Sequence, residues 1–236
     1  MTTANERIPC QIFSRASEAS IAAADEIEQL IRDCEKEGRK CVLGLVTGSS
    51  PTGIYEELVR RHRENNLSFK HVITFNLDEY FPMHPSELQS VSRFMHEHLF
   101  DHIDLPPEQI HIPDGTIEKS DASEYCQLYE KSIRDAGGID LQILGLNRTG
   151  HIGLNEPGSE RNSRTRMITL DNVTRIDAAS DFFGAENVPR YSITLGVGTI
   201  LEAKRILLLA FGEGKAKIIE KSVEGYATSK IGRAHV

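Results

Sequence analysis

The chain has 236 residues, of which 39% are hydrophobic and 26% charged, and its 27 basic against 35 acidic residues give a net charge of −8. That balance excludes general nucleic-acid binding, which needs a basic face, but leaves room for a local anion pocket made of loop amides and a lysine or two. No apolar run reaches membrane length, the start "MTTANERIPCQIF" lacks a signal core, and Cys10, Cys34, Cys41 and Cys126 form neither a C-x-x-C nor a metal spacing with histidine, so the chain reads as cytoplasmic with reduced thiols.

Helical and strand-like segments alternate. Residues 17–38 place Ile27, Leu30, Ile31 and Cys34 on one helical face, and Gly38 closes the helix. "CVLGLV" is a short buried strand. The next helix opens near Pro51, a residue suited to a first helical turn. "HVITFNL" is strand-like, and residues 90–103 form an amphipathic helix with Val91, Phe94, Met95 and Leu99 inward. A helix from Ser120 or Asp121 stops at Gly137, and "IDLQILGL" follows as a buried strand. Then come the strands "TRMITL" and "YSITLG", a short helix from Thr199, the strand "RILLLAFG" and a last helix, "GKAKIIEKSVEG". Near-continuous apolar strands alternating with helices predict a Rossmann-like, three-layer α/β fold: a mainly parallel sheet with helices on both faces. In such sheets ligands bind at the carboxyl ends of the strands. Three unusual loops fall there.

The first is "TGSSPTG", residues 47–53. Hydroxyls and glycine amides at a helix N-terminus can hold an anion. Ile54 and Tyr55 stand where a P-loop needs Lys and Ser/Thr, so a single phosphate on a small metabolite fits better than a nucleoside triphosphate. A plain strand–helix turn is the alternative. The second is "FNLDEYF", where Asp78 and Glu79 follow an apolar strand; a partly desolvated carboxylate there can serve as a general base, and a solvated turn or helix cap is the alternative. The third is "GLNRTGHIGLNEPGSE". His151 can exchange protons near neutral pH, and Glu156 is close enough in sequence to orient it; the histidine could instead satisfy a backbone carbonyl. Asp78, His151 and Glu156 have no recognised metal-ligand spacing. Lys215, at the start of the last helix, can close over a phosphate as a point charge. His96, His98 and His102 read as a surface cluster.

Taken in order, "LGLVTGSSPTGIYEELV", "SFKHVITFNLDEY", "SRFMHEHLFDHI", "GHIGLNEPGS", "SRTRMITL", "VPRYSITLGVGTIL" and "GKAKIIEKSVEG" resemble the glucosamine-6-phosphate deaminase family over residues 11–225. Sister lactonases of the same fold share the phosphate loop and the Gly-His, but their loop does not go on to Asn-Glu-Pro. The resemblance implies a fold of the deaminase/ribose-5-phosphate isomerase/CoA-transferase kind. It also implies an aldose–ketose isomerisation with deamination, in which glucosamine 6-phosphate and water give fructose 6-phosphate and ammonia. His151 would open the sugar ring, Glu156 would polarise its imidazole, and Asp78 would take the C2 proton. Thr47, Gly48, Ser49, Ser50, Thr52 and Lys215 would hold the phosphate. No metal and no organic cofactor is implied. The partner is the small sugar phosphate, with no nucleic acid and no membrane, and the full-length form would be a homo-oligomer.

The pattern departs from the family in three places. Thr149 stands where deaminases carry an aspartate two residues before the histidine. Asp181 stands where an arginine should help bind phosphate, with Arg175 or Arg190 available to compensate. Arg166 matches an allosteric position, but Ile168 replaces the expected lysine. The Arg-Thr-Gly-His variant resembles a bacterial subgroup in which this domain is fused to a deacetylase-like one, so a weakly catalytic sugar-phosphate-binding or regulatory domain is the alternative reading.

One domain over residues 1–229 is expected. The tail 230–236 is not: "IGRAHV" can be encoded by ATC GGA AGA GCA CAC GTC, which after the AG of a lysine codon is the start of a common sequencing-library adapter. The natural chain is therefore expected to continue differently.

Overall fold

A computed structural model describes residues 8–146, 150–156 and 158–224. Thr149 and the tail 230–236 lie outside the described residues. In chain order the elements are α1 (Ala16–Lys36), β1 (Cys41–Leu45), α2 (Ser49–Asn65), β2 (Val72–Asn76), β3 (Asp78–Phe81), α3 (Val91–His98), β4 (Ile110–His111) and α4 (Ala122–Asp135). They continue with β5 (Leu141–Gly145), β6 (Arg166–Thr169), α5 (Asn172–Asp177), β7 (Tyr191–Thr194), α6 (Val197–Leu201), β8 (Ile206–Leu209) and α7 (Ala216–Val223).

Every residue of β1 is buried, because alternate side chains enter different cores. Leu43 and Leu45 pack against α1, α2 and α3 through Ile27, Ile31, Ile54, Leu58 and Met95. Val42, with Phe75 and Leu144, packs on the other face against Tyr129 and Ile133 of α4 and Ile200 of α6. These are the two helical layers expected from the unbroken apolar strands. Gly38 and Gly137, at φ 70° and 91°, end α1 and α4 in the left-handed conformation that glycine adopts without steric cost.

The main sheet has five parallel strands in the order β4-β2-β1-β5-β8. From β1 the chain first builds outward through β2 and β4, then returns to the other side of β1 with β5 and β8. The order therefore reverses between β1 and β5, which is where a ligand crevice opens in such sheets. The loops carrying "TGSS" and "GHIGLNE" leave the carboxyl ends of these two strands.

A second sheet corrects the sequence reading. "TRMITL" and "YSITLG" do not join the parallel sheet; β6 and β7 pair antiparallel, and β3 completes the order β3-β7-β6. Asp78 and Glu79, expected in a loop or turn after the strand, are the first residues of β3. Short apolar runs cannot by themselves distinguish parallel from antiparallel partners. Smaller corrections concern ends. The second helix starts at Ser49, ahead of Pro51, and the third stops at His98, with a separate 3-10 turn over Phe100–His102. The short helix begins at Val197. β4 and α5 were not foreseen.

Candidate active site

The phosphate-loop residues occupy the join between β1 and α2. Tyr55 is fully buried, and its hydroxyl donates to the Val46 carbonyl at 2.6 Å, which fixes the end of the strand against the helix. Gly48 turns the chain with φ 107°, a value glycine tolerates, and Ser49 and Ser50 form the first turn of α2. The first amides of a helix have no helical acceptor, which leaves them available as donors to an anion. The Thr52 hydroxyl donates back to the Gly48 carbonyl at 3.0 Å. Lys215 ends a 3-10 turn, Glu213–Lys215, after β8.

Asp78 is placed by a strand that changes sheets. The Leu77 amide still donates to Leu45 of β1, at 2.9 Å; one residue later the chain pairs with β7, Asp78 opposite Thr194. Asp78 is 9% exposed, and burial, helped by the neighbouring Glu79 charge, pushes its carboxyl up to about 7. Tyr129 of α4 closes this region from the other side, its hydroxyl donating to the Asn76 carbonyl at 2.9 Å.

The histidine loop is pinned to the same place. Gly153 has φ 56°, and a Cβ there would lie 3.1 Å from both Leu77 Cδ2 and Thr194 Oγ1, so a side chain would crowd the contact between the loop and β7. The Leu154 amide donates to Thr194 Oγ1 at 3.3 Å. Asn155, wholly buried, donates to the carbonyls of Ile152 and Leu195, at 3.1 and 2.9 Å, and accepts from Arg166 Nη1 at 2.9 Å. Thr194 is thus the shared neighbour of Asp78 and of the loop that carries His151.

His151 is 4% exposed, and burial holds its imidazole below the ordinary histidine range. The charges of Glu156 and Asp177 act in the opposite direction, and that of Lys215 adds to the lowering. His151, Glu156 and Lys215 therefore share one electrostatic neighbourhood, and the buried imidazole is neutral at pH 7. Glu156 Oε1 accepts from the Asp171 amide at 2.8 Å, tying the loop to the residue before α5.

Of the family-departure positions, Asp181 is exposed, with its carbonyl accepting from Gln89 Nε2 at 3.0 Å. Arg175 donates to the carbonyls of Ala185 and Val188, at 2.8 and 3.3 Å; with Arg190, Asp171 and Thr169 it lines an open cleft of about 500 Å³. Arg166 spends its guanidinium on Asn155 and on Ser159 Oγ, the latter at 2.7 Å. Sequence reasoning missed the organising part played by Asn155 and Arg166, although an asparagine inside a glycine-rich loop is a signal for backbone capping. Among the described residues, ligand atoms of Cys, His and acidic groups converge within 4.8 Å at Cys34, Cys41 and Asp140. That group sits at the other end of the sheet, where Asp140 is held by Arg39 Nη1 at 2.9 Å and Lys204 Nζ at 2.7 Å.

With this geometry established, the comparison with known proteins is direct: residues 14–234 match the family described as glucosamine-6-phosphate isomerases/6-phosphogluconolactonase. The chain belongs to that family. Glucosamine-6-phosphate deaminase 2 of Bacillus subtilis is 47% identical over 205 residues, covering 86% of this chain and 81% of the relative. A putative glucosamine-6-phosphate deaminase-like protein of Bacteroides thetaiotaomicron is 47% identical over 226 residues; they make up 96% of this chain but only 34% of that protein's length. Among solved structures, a monomeric glucosamine-6-phosphate deaminase superposes with a TM-score of 0.88 at 37% identity, covering 97% of this chain and 91% of that one. The 6-phosphogluconolactonase of Trypanosoma brucei, at 19% identity and a TM-score of 0.75, shares the fold. The family's fold is therefore the expected one. The homo-oligomer expected for the full-length form has a monomeric counterexample among the relatives.

Proposed function

We propose that this chain converts glucosamine 6-phosphate and water into fructose 6-phosphate and ammonia, as a cytoplasmic step of amino-sugar catabolism. The observation that carries the reading is Asp78: a buried carboxylate pushed up to about 7, just past the carboxyl end of β2, sharing Thr194 with the loop of a buried neutral histidine. A carboxylate tuned close to neutral pH is matched to removing a carbon-bound proton acidified by an adjacent carbonyl or iminium.

The steps follow from the residues. The phosphate docks on the amides and hydroxyls of Thr47, Gly48, Ser49 and Ser50, with Lys215 supplying positive charge; Thr52, bonded to Gly48, stabilises the turn. Neutral His151 moves a proton from the anomeric hydroxyl to the ring oxygen, opening the ring, and the Glu156 carboxylate supports the transient imidazolium. Asp78 takes the C2 proton, giving an enol intermediate, and returns a proton to C1. The resulting C2 iminium adds water and expels ammonia. Acid–base groups suffice for each step.

An ammonia-release assay on glucosamine 6-phosphate, with Asp78→Asn as control, tests the reading. Ammonia and fructose 6-phosphate in equal amounts, lost in the variant, are expected. Sugar-phosphate binding without turnover would instead favour a binding or regulatory domain, a reading that the longer Bacteroides relative keeps in view.

A further inference from the structure

Asp78 and Glu79 are adjacent carboxylates, both buried, at 9% and 2% exposure, yet their surroundings differ sharply. Glu79 accepts four hydrogen bonds. Its Oε1 takes the amides of Tyr80 at 2.8 Å and Val91 at 3.2 Å; its Oε2 takes Ser90 Oγ at 2.8 Å and the Ser92 amide at 3.3 Å. Two of the donors are the first amides of α3, and Ser90 is that helix's N-cap. The Glu79 carbonyl is also fixed, accepting from Ser192 Oγ at 2.7 Å. Around Asp78 the ionisable neighbours are Glu79 and Tyr80 of β3 and Tyr129 of α4. Burial holds both phenols above their ordinary range, so they carry no charge at neutral pH. Among the described residues no hydrogen-bond donor to the Asp78 carboxylate offsets its burial.

We infer that Glu79 is a positioning residue for the reaction: it ties the start of β3 to the N-terminus of α3, fixing where Asp78 points, and keeps a second, hydrogen-bonded negative charge beside it. The inference rests on the reading of Asp78 as the C2 base. Physically, two like charges this close cannot ionise with equal ease. The member with four donors ionises first, and the member with none among the described residues is left as the stronger base. Burial also raises Glu79, but its donors pull against that rise, whereas among the described residues nothing comparable acts on Asp78. Glu79 thereby does for Asp78 what a helix cap and a charged neighbour do at once.

The test is the pH profile of kcat/KM for the full chain and for Glu79→Gln and Glu79→Asp. Glu79→Gln removes the charge and keeps an acceptor; its acid limb is expected to move down by about half a pH unit or more, with a lower maximal rate. Glu79→Asp keeps the charge with a shorter reach; its limb is expected to stay near that of the parent while kcat falls. A uniform loss of rate in Glu79→Gln with an unmoved limb would overturn the inference and leave Glu79 a purely structural cap. Should Glu79→Gln fail to fold, carboxyl-carbon NMR of the parent chain decides. Coupled carboxylates each report the other's titration as a second step, and a single independent step at Asp78 would overturn the inference. The NMR titration needs no turnover, so an inactive parent chain would count against the deaminase reading while still testing the coupling.

Discussion

The Asp171 amide donates to Glu156 Oε1 at 2.8 Å, so the acid whose charge acts on His151 is itself held by the entry to α5. Glu156 thus links the histidine loop to the segment that carries Arg175 and the cleft beside it. Glu156→Gln keeps the hydrogen bond and removes the charge. Since the Glu156 charge raises the imidazole against the lowering by burial, its loss moves His151 further down. We expect kcat to fall by roughly 10- to 100-fold. The check is steady-state kinetics together with a histidine NMR titration, in which the His151 midpoint moves to lower pH.

Asp78 sets a conflict between activity and stability. Its folded value, about 7, lies above the ordinary aspartate value of about 4. Between those limits the folded chain binds more protons than the unfolded one, so stability falls as pH rises toward 7. Asp78→Asn removes that cost. It should be more stable than the parent at pH 8, by up to a few kcal/mol, and near parity at pH 4. Urea titrations at the two pH values check this. Catalysis has the opposite sign: the parent's kcat/KM rises through about pH 7 as Asp78 loses its proton.

Asn155 organises the loop with three hydrogen bonds in a fully buried position. Asn155→Ala removes the shortest side-chain bonds of two carbonyls and one guanidinium N–H, leaving the Ile152 carbonyl to the residue 155 amide and the Leu195 carbonyl to Thr194 Oγ1, both at 3.3 Å. The expected loss of stability is about 2–3 kcal/mol, read from the urea midpoint, together with a fall in kcat because His151 loses its support.

Asp140 provides the contrast, at the far end of the sheet. Its carboxylate takes Arg39, Lys204 and the Val42 amide, at 2.9, 2.7 and 2.8 Å. These partners hold it below the usual carboxylate range despite the opposing effect of burial, so its contribution is present above about pH 4 and is lost on further acidification. Asp140→Ala takes the acceptor from the buried Val42 amide and leaves a cavity, while Arg39 keeps Glu37 and Lys204 reaches water; it should cost about 1–3 kcal/mol with kcat unchanged in the folded fraction.

How much of this was readable in the sequence differs between parts of the chain. The unbroken apolar runs "CVLGLV" and "IDLQILGL" have one physical explanation, burial on both faces, so the parallel sheet and its helical layers followed. Asp78 and Glu79 were legible as a pair of acids after an apolar strand, and only the family resemblance singled out Asp78. Its membership of β3 was not, since pairing with Thr194 is a contact across more than a hundred residues that no local pattern encodes. Glu79 received no role of its own, because its donors, Ser90 to Ser92, come from the next helix. The spacing of Glu156 and His151 suggested a shared neighbourhood, but the tie from Glu156 to the Asp171 amide did not show, because the fold brings Asp171 up from the start of α5.

The central claim is that Asp78 breaks the C2–H bond of the sugar. The most direct measurement follows that bond with glucosamine 6-phosphate deuterated at C2. In the parent chain the label should leave C2, appearing at C1 of fructose 6-phosphate or in water, and turnover should slow relative to the protiated substrate. In Asp78→Asn the label should stay in place, with cleavage reduced by about a thousandfold or more, while the variant still binds the sugar phosphate. Loss of the C2 label at the parent rate in Asp78→Asn would contradict the account.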